Sequence, residues 1–247
     1  MEVSSKIKEA YTNQYDDSSL EWRMTGAKFK AQNIVELSRK IKFDSVLEVG
    51  CGEGSILYWL SKWGFSNNLH GIEISSSGVD MVKSKAIEHL KEVLLFDGYK
   101  IPYDDNHFDL VVCSHVLEHV EHERILLREI RRVSRYQIFE VPIDFSFYVD
   151  KKIKHFLAYG HINIYTPSLF RFLLKSENFT VLEDRPYLYH DEVLSQTYAR
   201  NSISYFKVKV KQYILKQIPY LLGIKPNSYA VLTESTDKNI SIFEPER

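Results

Sequence analysis

The segment Glu48-Val49-Gly50-Cys51-Gly52-Glu53-Gly54 decides how this chain folds. A short apolar run at 45–49 leads into it and ends at a glycine, which is typical of a buried strand. An amphipathic helix is predicted directly after it, over 56–63. Glycines allow positive φ and close approach of the backbone to a ligand, and a helix start offers unpaired N–H groups. The segment therefore predicts a strand, a ligand-binding turn and a helix in succession.

The same alternation of strands and helices continues along the chain. Apolar runs and helical spacings predict further strands at 69–74, 93–96, 108–113, 137–141, 180–184 and 229–234, and helices over 4–41, 76–90, 121–133 and 167–176. Alternating elements predict an α/β, Rossmann-like fold, with a mostly parallel seven-stranded sheet and helices on both faces. We expect an N-terminal helical lid (1–44), a ligand-binding core (45–185), and a cap insertion with the last strand (186–247).

Acidic residues follow or precede the predicted strand ends, where ligands of such sheets bind. Glu48 lies two residues before the first glycine and suits a ligand's ammonium group. The glycine spacing, with Gly54 third, differs from the dinucleotide-binding pattern. Glu73 ends the second strand, where a carboxylate can accept hydrogen bonds from ribose hydroxyls. Asp97 ends the third strand and could accept from an adenine amino group. These residues predict a nucleoside site.

Together these motifs resemble the class I S-adenosylmethionine-dependent methyltransferases, in the subgroup that acts on small molecules. The resemblance rests on segments 46–54, 71–75, 96–98 and 108–119, and on Gly160-His161-Ile162-Asn163 with Tyr165-Thr166-Pro167. It implies S-adenosylmethionine as the cofactor. It also implies methyl transfer to oxygen or nitrogen of a small molecule or glycan.

The resemblance further implies which residues bind the cofactor. The glycine turn would hold the methionine part, Glu73 the ribose, and Ile74 and Gly98 the adenine. The segment 22–28 is similar to an N-terminal lid, in which Arg23 would pair with the cofactor carboxylate and Tyr11 or Tyr15 would close the pocket. The implied set is Tyr15, Arg23, Glu48, Gly50, Cys51, Gly52, Glu73, Ile74, Asp97, Gly98, Ser114 and His115.

An acceptor hydroxyl or amine must lose a proton during methyl transfer, so a general base is expected. The candidates are His115, His119, His161 and Asp144, and we favour His115 and His161 as catalytic residues. A non-catalytic S-adenosylmethionine-binding module is an alternative. His115 to His119 also matches an inverted zinc-protease pattern, which requires one continuous helix. The strand predicted just before His115 argues against it, and no metal is expected.

Composition limits the class of protein. The 247 residues carry a formal net charge of −1, and two cysteines are present, Cys51 and Cys113. We expect both cysteines to be buried thiols. We also expect a cytoplasmic protein, because no signal peptide or stretch of roughly 18 apolar residues is found. Near-neutral charge, and the absence of a base-flipping segment after the fourth strand, predict no nucleic-acid partner.

Two insertions, 143–166 and 186–228, interrupt the pattern where an acceptor pocket or lid commonly forms. Residues 193–233 contain six basic and no acidic residues, and their apolar residues favour a helix. This is either a cap helix with a solvated lysine face or a surface for an anionic acceptor, a membrane or a lipid-linked glycan. The sequence leaves the oligomeric state undecided.

Overall fold

A twisted sheet forms the centre of the molecule. In the computed structural model, which describes Val3, residues 20–146 and residues 148–236, this sheet has seven strands. They are β1 (Val46–Val49), β2 (Leu69–Glu73), β3 (Leu90–Leu95), β4 (Phe108–Ser114), β5 (Ser134–Pro142), β6 (Phe179–Tyr187) and β7 (Ser228–Ser235). Their order is β3-β2-β1-β4-β5-β7-β6, and β7 is antiparallel to both of its neighbours. The predicted mostly parallel α/β fold is confirmed.

Helices cover both faces of the sheet, because alternate strand residues point to opposite sides. The described helices are α1 (Leu20–Leu37), α2 (Ser55–Lys62), α3 (Ser76–Ser84), α4 (Glu123–Val133), α5 (Ile153–Ala158), α6 (Pro167–Ser176), α7 (Asp191–Thr197), α8 (Ile203–Gln217) and α9 (Pro219–Ile224). Buried residues of α1, α2 and α3 share one apolar cluster, and those of α4 and α6 share the other. Cys113 lies in the α4–α6 cluster and Cys51 in the opposite one, and both are free and buried.

Several boundaries differ from the sequence prediction, and two of them, at the third helix and the third strand, have a clear physical reason. The helix predicted over 76–90 ends at Ser84, because Ala86 adopts a left-handed φ of 46° that a helix cannot continue through. The third strand therefore starts at Leu90, three residues before the predicted start. Lys91 and Glu92, in the first half of this strand, are exposed at the sheet edge. A search for apolar runs therefore did not recognise these residues as part of a strand.

The N-terminal and C-terminal additions pack on the core. α1 buries Ala27, Ala31 and Ile34 against the sheet, so it is a core helix as well as a candidate lid. The helix favoured within the basic insertion is confirmed as α8. Tyr11 and Tyr15 lie outside the described residues. None of the described helices combines the length and apolar character needed to cross a bilayer.

The order of the strands places the site. Chain order reverses between β1 and β4, and β1 aligns Val49 with Ile72 of β2 and with Cys113 of β4. The carboxyl ends of these three strands therefore end at one edge, with the glycine turn between them. Parallel sheets bind ligands at this crevice.

Candidate functional site

A cavity of about 450 Å³ opens at the carboxyl ends of β1, β2 and β4. The glycine turn forms its floor, and α1 and the first insertion form its walls. Most of the predicted residues line it: Arg23, Glu48, Gly50, Cys51, Gly52, Glu73, Ile74, Gly98, Ser114, His115, His119 and His161. A cavity of this size holds a small organic ligand.

The glycine turn needs glycine for steric reasons. Gly50, Gly52 and Gly54 all have positive φ, at 68°, 55° and 79°. A Cβ on Gly50 would lie 2.5 Å from Cγ2 of Val116, closer than carbon atoms approach. The backbone at Gly50 is thereby exposed to the cavity, and its N–H donates to the carbonyl of Ile72 at 2.8 Å. Hydrogen bonds to β2 therefore hold the turn in place.

Glu48 is a buried carboxylate without a full set of partners. Its Oε2 makes no hydrogen bond within the described part of the chain. Burial raises the pKa of Glu48 well above its usual range, and the nearby Glu53 carboxylate raises it further. A ligand ammonium group beside Oε2 would supply the missing donor and favour the ionised form.

Glu73 lies on the cavity wall, but backbone amides occupy much of its carboxylate. Oε2 accepts from Gly52 N at 2.9 Å, and Oε1 accepts from Ile74 N and Ser75 N at 2.9 and 3.0 Å. A carboxylate oxygen accepts two hydrogen bonds, so Oε2 can still accept from a ribose hydroxyl. Burial raises the pKa of Glu73, while these amides oppose that shift.

The structure does not place Asp97 in the cavity. Its Oδ1 accepts from the amides of Tyr99 and Lys100 at 2.8 and 2.7 Å, which closes a local turn. The cavity wall here is formed by Phe96, Gly98, Tyr99 and Val3 instead. Asp97 thus shapes the turn through Oδ1, and its contact with an adenine edge stays a prediction.

Charged side chains from α1 border the methionine end of the cavity. Arg23 lies with its Nε 3.5 Å from Oε1 of the buried Glu53, so the structure pairs Arg23 with the protein rather than leaving it for a ligand alone. Lys30 also lines the cavity and was missed. Arg23 and Lys30 are two helical turns apart, so a shared face was readable from the sequence.

His115 is clamped between two buried carboxylates. It follows β4 with a left-handed φ of 56°, which turns its ring toward the end of β5. Its Nε2 lies 3.0 Å from Glu140 Oε1, and its Nδ1 lies 3.2 Å from Glu118 Oε1. Burial and Lys30 lower the pKa of His115, but the two carboxylates outweigh them and leave it raised. The same contacts overcome burial and lower the pKa of Glu118 and Glu140.

His161 and His119 face each other across the acceptor end of the cavity. Nδ1 of His161 lies 2.6 Å from Asp144 Oδ2, and Nδ1 of His119 lies 3.0 Å from the carbonyl oxygen of Gly160. The two rings are edge to face with centroids 4.9 Å apart. Burial lowers the pKa of His119, so its ring is neutral near pH 7. Asp144, the partner of His161, also lies in the first insertion, and the sequence analysis did not predict that the two residues pair.

The zinc-protease arrangement is not formed. β4 ends at Ser114, and a short 3-10 turn over Leu117–His119 follows in place of a continuous helix. A different group, Glu118, His119 and His161, brings one potential ligand atom each to within 4.8 Å of one another. In both histidines Nδ1 is hydrogen-bonded, in His119 to the carbonyl oxygen of Gly160 and in His161 to Asp144. Nε2 is then the nitrogen that could bind a metal, as is usual for metal-ligating histidines.

Comparisons with known proteins point to methyltransferases. Residues 47–137 match a family model described as a methyltransferase domain. Aklanonic acid methyltransferase of Streptomyces is 27% identical over 45% of this chain and 54% of its own length. Ajmaline N-methyltransferase of Rauvolfia serpentina is 32% identical over 36% of this chain and 32% of its own length. A solved S-adenosylmethionine-dependent methyltransferase from Archaeoglobus fulgidus superimposes with a TM-score of 0.58 at 20% identity, over 88% of this chain and 97% of that one.

The fold and the cavity define a nucleoside-binding α/β protein of the Rossmann-like class. The match of residues 47–137 to a methyltransferase domain, together with the relatives and the shared fold, supports a class I S-adenosylmethionine-dependent methyltransferase and implies S-adenosylmethionine as the cofactor. The matched part covers about half or less of these two relatives' own lengths.

The residues present fit this cofactor. The orphaned Oε2 of Glu48 suits the ammonium group, and Arg23 and Lys30 provide positive charge near a carboxylate. The crowded Gly50 leaves backbone exposed to the ligand, and Glu73 retains acceptor capacity for a ribose hydroxyl.

Proposed function

We propose that this chain transfers a methyl group from S-adenosylmethionine to an oxygen or nitrogen atom of a small-molecule or glycan acceptor, with His161 as the general base. The observation that carries the proposal is the 2.6 Å contact between Asp144 Oδ2 and Nδ1 of His161, a residue that lines the cavity. An oriented histidine–carboxylate pair is suited to removing a proton from an acceptor.

Asp144 fixes the working tautomer of His161. A carboxylate that accepts from Nδ1–H leaves Nε2 as the unprotonated nitrogen, which can accept the proton of an acceptor group. Asp144 also stabilises the imidazolium that forms when the proton arrives. Asp144 is thus a positioning residue, and His161 is the group that contacts the acceptor.

His115, the other favoured candidate, has a different role in this proposal. Both of its ring nitrogens face carboxylates, which raise the pKa of His115 and favour the imidazolium, a form without a lone pair to accept a proton. It keeps Glu118 and Glu140 ionised and orders the end of β4 beside the reacting centre. Ser114, whose Oγ has no hydrogen-bond partner among the described residues, is left available to a ligand.

When bound, the cofactor supplies an electrophilic methyl group on a sulfonium. The protein's contribution is placement of the two reactants. Glu48, the glycine turn and Glu73 hold one side of the cavity, and His161 with His119 forms the other. Correct alignment in such a site accounts for several kcal/mol of a reaction barrier.

The experiment is a turnover assay with S-adenosylmethionine and a panel of phenols, amines, sugars and their phosphates. The formation of S-adenosylhomocysteine is followed for the unaltered chain, His161→Ala and the control His89→Ala. We expect His161→Ala to lower kcat while leaving cofactor affinity unchanged, and the control to behave like the unaltered chain. Equal activity of His161→Ala with every acceptor that turns over would overturn the role of His161.

The alternative function is a cofactor-binding module without catalysis. It predicts calorimetric binding of S-adenosylhomocysteine but no turnover with any acceptor. The paired His161 and Asp144 favour an enzyme, because binding the cofactor alone requires no base. We also propose a cytoplasmic setting without nucleic-acid partners, supported by two free buried cysteines and a net charge of −1.

A further inference from the structure

The outward side of α8 exposes large apolar residues. Its exposed residues are Ile203, Phe206, Val210, Tyr213 and Ile214, whose exposed fractions run from 41% to 75%. At 100° per residue these positions fall on one side of the helix. The opposite side is already packed, with Gln212 and Leu215 buried. Packing on the core therefore does not explain the outward side.

The exposed surface continues beyond α8. Tyr220, Leu221 and Ile224 of α9 are also exposed, and Tyr220 is 77% exposed. We call these three and the five of α8, together with Lys207, Lys211 and Lys216, the α8–α9 face. Solvent-facing helix sides are normally polar, and a contiguous apolar surface on a soluble domain marks a contact site.

Lysines flank the apolar strip on both sides. By helical position, Lys207 and Lys211 lie along one edge, and Lys209 and Lys216 along the other. Lys209 pairs with Asp191 at 2.6 Å, while Lys207, Lys211 and Lys216 have no ion-pair partner within the described chain. Residues 193–233 contain no acidic residue. The α8 part of the strip is therefore bordered by positive charge on both sides.

We propose that the α8–α9 face docks on an anionic lipid bilayer, with α8 lying in the interface plane. Amphipathic helices that enter the headgroup region have this arrangement, with apolar residues on one side and lysines along both edges. Each lysine near an anionic surface strengthens such binding. A symmetric contact between two copies would instead bring rows of lysines together, which like-charge repulsion opposes.

The face borders the acceptor end of the cavity. Lys225, just after α9, donates to the carbonyl oxygen of Ile143 at 3.4 Å, next to Asp144. Lys152 and Lys211 lie close enough to Lys225 to lower its pKa along with burial, which places the first insertion beside α8. Docking would thus hold the His161 end of the cavity at the membrane. On the proposed function, the acceptor is then a membrane-resident amphiphile with an anionic headgroup.

Vesicle co-sedimentation tests the docking. The full chain is mixed with vesicles of phosphatidylcholine alone or with phosphatidylglycerol added. We expect binding to the anionic vesicles, weak binding to the neutral ones, and loss of binding at high salt. Phe206→Ser/Tyr213→Ser and Lys207→Glu/Lys211→Glu should each weaken the partition coefficient by roughly 10-fold or more.

Matched controls exclude general effects of exposed residues. Leu182→Ser removes another exposed apolar side chain, and Lys83→Glu/Lys91→Glu reverses two lysines on the β3 side of the sheet; both should bind like the unaltered chain. Equal binding to both vesicle types, or no effect of the face variants, would overturn the proposal. The proposal would also be overturned if sedimentation velocity showed a dimer that Phe206→Ser/Tyr213→Ser abolishes. Displacement of the chain from vesicles by an acidic protein would overturn it as well.

The docking and the proposed function fail separately. Calorimetry with S-adenosylhomocysteine on the same variants reports the cofactor site, because none of the residues that line the cavity belongs to the face. If the chain binds vesicles but not S-adenosylhomocysteine, the docking proposal stands and the proposed function fails. If it binds S-adenosylhomocysteine but no vesicle, the docking proposal fails and the proposed function stands.

Discussion

Asp144 Oδ2 lies 2.6 Å from Nδ1 of His161, although the two residues are 17 positions apart in the chain. Asp144 follows the end of β5, and His161 follows α5, so the intervening insertion folds back over the cavity. On the proposed function, this contact orients a loop histidine as the general base.

Replacing Asp144 with Asn should lower kcat by about 10²-fold, because the amide can present the wrong hydrogen-bonding group to Nδ1 and no longer stabilises an imidazolium. The KM for S-adenosylmethionine should stay the same. Steady-state kinetics at a fixed pH measure both constants, and a fall in kcat at constant KM separates loss of an oriented base from loss of cofactor binding. An unchanged kcat in Asp144→Asn would show that the pair is structural.

Gly50→Ala should destabilise the fold by about 1–3 kcal/mol from the left-handed φ alone, and by more because its Cβ would lie 2.5 Å from Val116 Cγ2; it should also weaken cofactor binding. The control is Gly64→Ala, since Gly64 has a similar φ of 63° but open space around its Cβ position. Thermal unfolding and S-adenosylhomocysteine titration measure both variants. The excess effect at Gly50 should shrink when Val116→Ala is added. Equal effects of the two glycine variants would contradict the steric explanation.

Cofactor binding should release a proton from Glu48. Its pKa is raised in the free protein, mainly by burial, and an ammonium group would favour the ionised form. Affinity should therefore rise with pH below the raised pKa. Calorimetry of S-adenosylhomocysteine binding in buffers of different ionisation enthalpy counts the protons. Glu48→Gln should bind weakly and release fewer protons, and a full proton count in that variant would assign the release elsewhere.

The His115 clamp should stabilise the fold over a limited pH window. The pKa of His115 is raised, so its contribution is present at low pH and is lost as pH rises through that pKa. The pKa values of Glu118 and Glu140 are lowered, so their contribution is lost as pH falls through those values. The stability difference between the unaltered chain and His115→Gln should peak at about pH 5–6, between ordinary Glu and His pKa values. Denaturant unfolding across pH measures it, and a difference independent of pH would refute the charged clamp.

Metal should not be required for activity, but zinc should inhibit. Glu118, His119 and His161 bring potential ligand atoms within 4.8 Å, so Zn²⁺ could occupy the nitrogen that His161 needs as a base. Chelation should leave turnover unchanged, and added Zn²⁺ should lower it. His119→Ala should weaken that inhibition. Loss of turnover on chelation, restored by metal, would make the group a metal centre instead.

Much of the cofactor site was readable from sequence because its signals are local. Gly50, Gly52, Glu48 and Glu73 are fixed by their positions relative to two strands, and the parallel sheet brings those strand ends together. Asp97 shows the limit of this reasoning. It sits at the expected strand end, yet its carboxylate closes its own turn, and a dipeptide pattern does not distinguish the two uses.

The sequence by itself determined the strand–turn–helix order, the parallel sheet and the glycine turn, because periodicity and backbone sterics act over a few residues. The tertiary structure alone decided which groups meet: Asp144 with His161, His115 between Glu118 and Glu140, and Lys30 in the cavity wall. Those contacts depend on the path of the insertions and the packing of α1 on the sheet. Their energies come from burial and charge, which are set only when distant segments pack together.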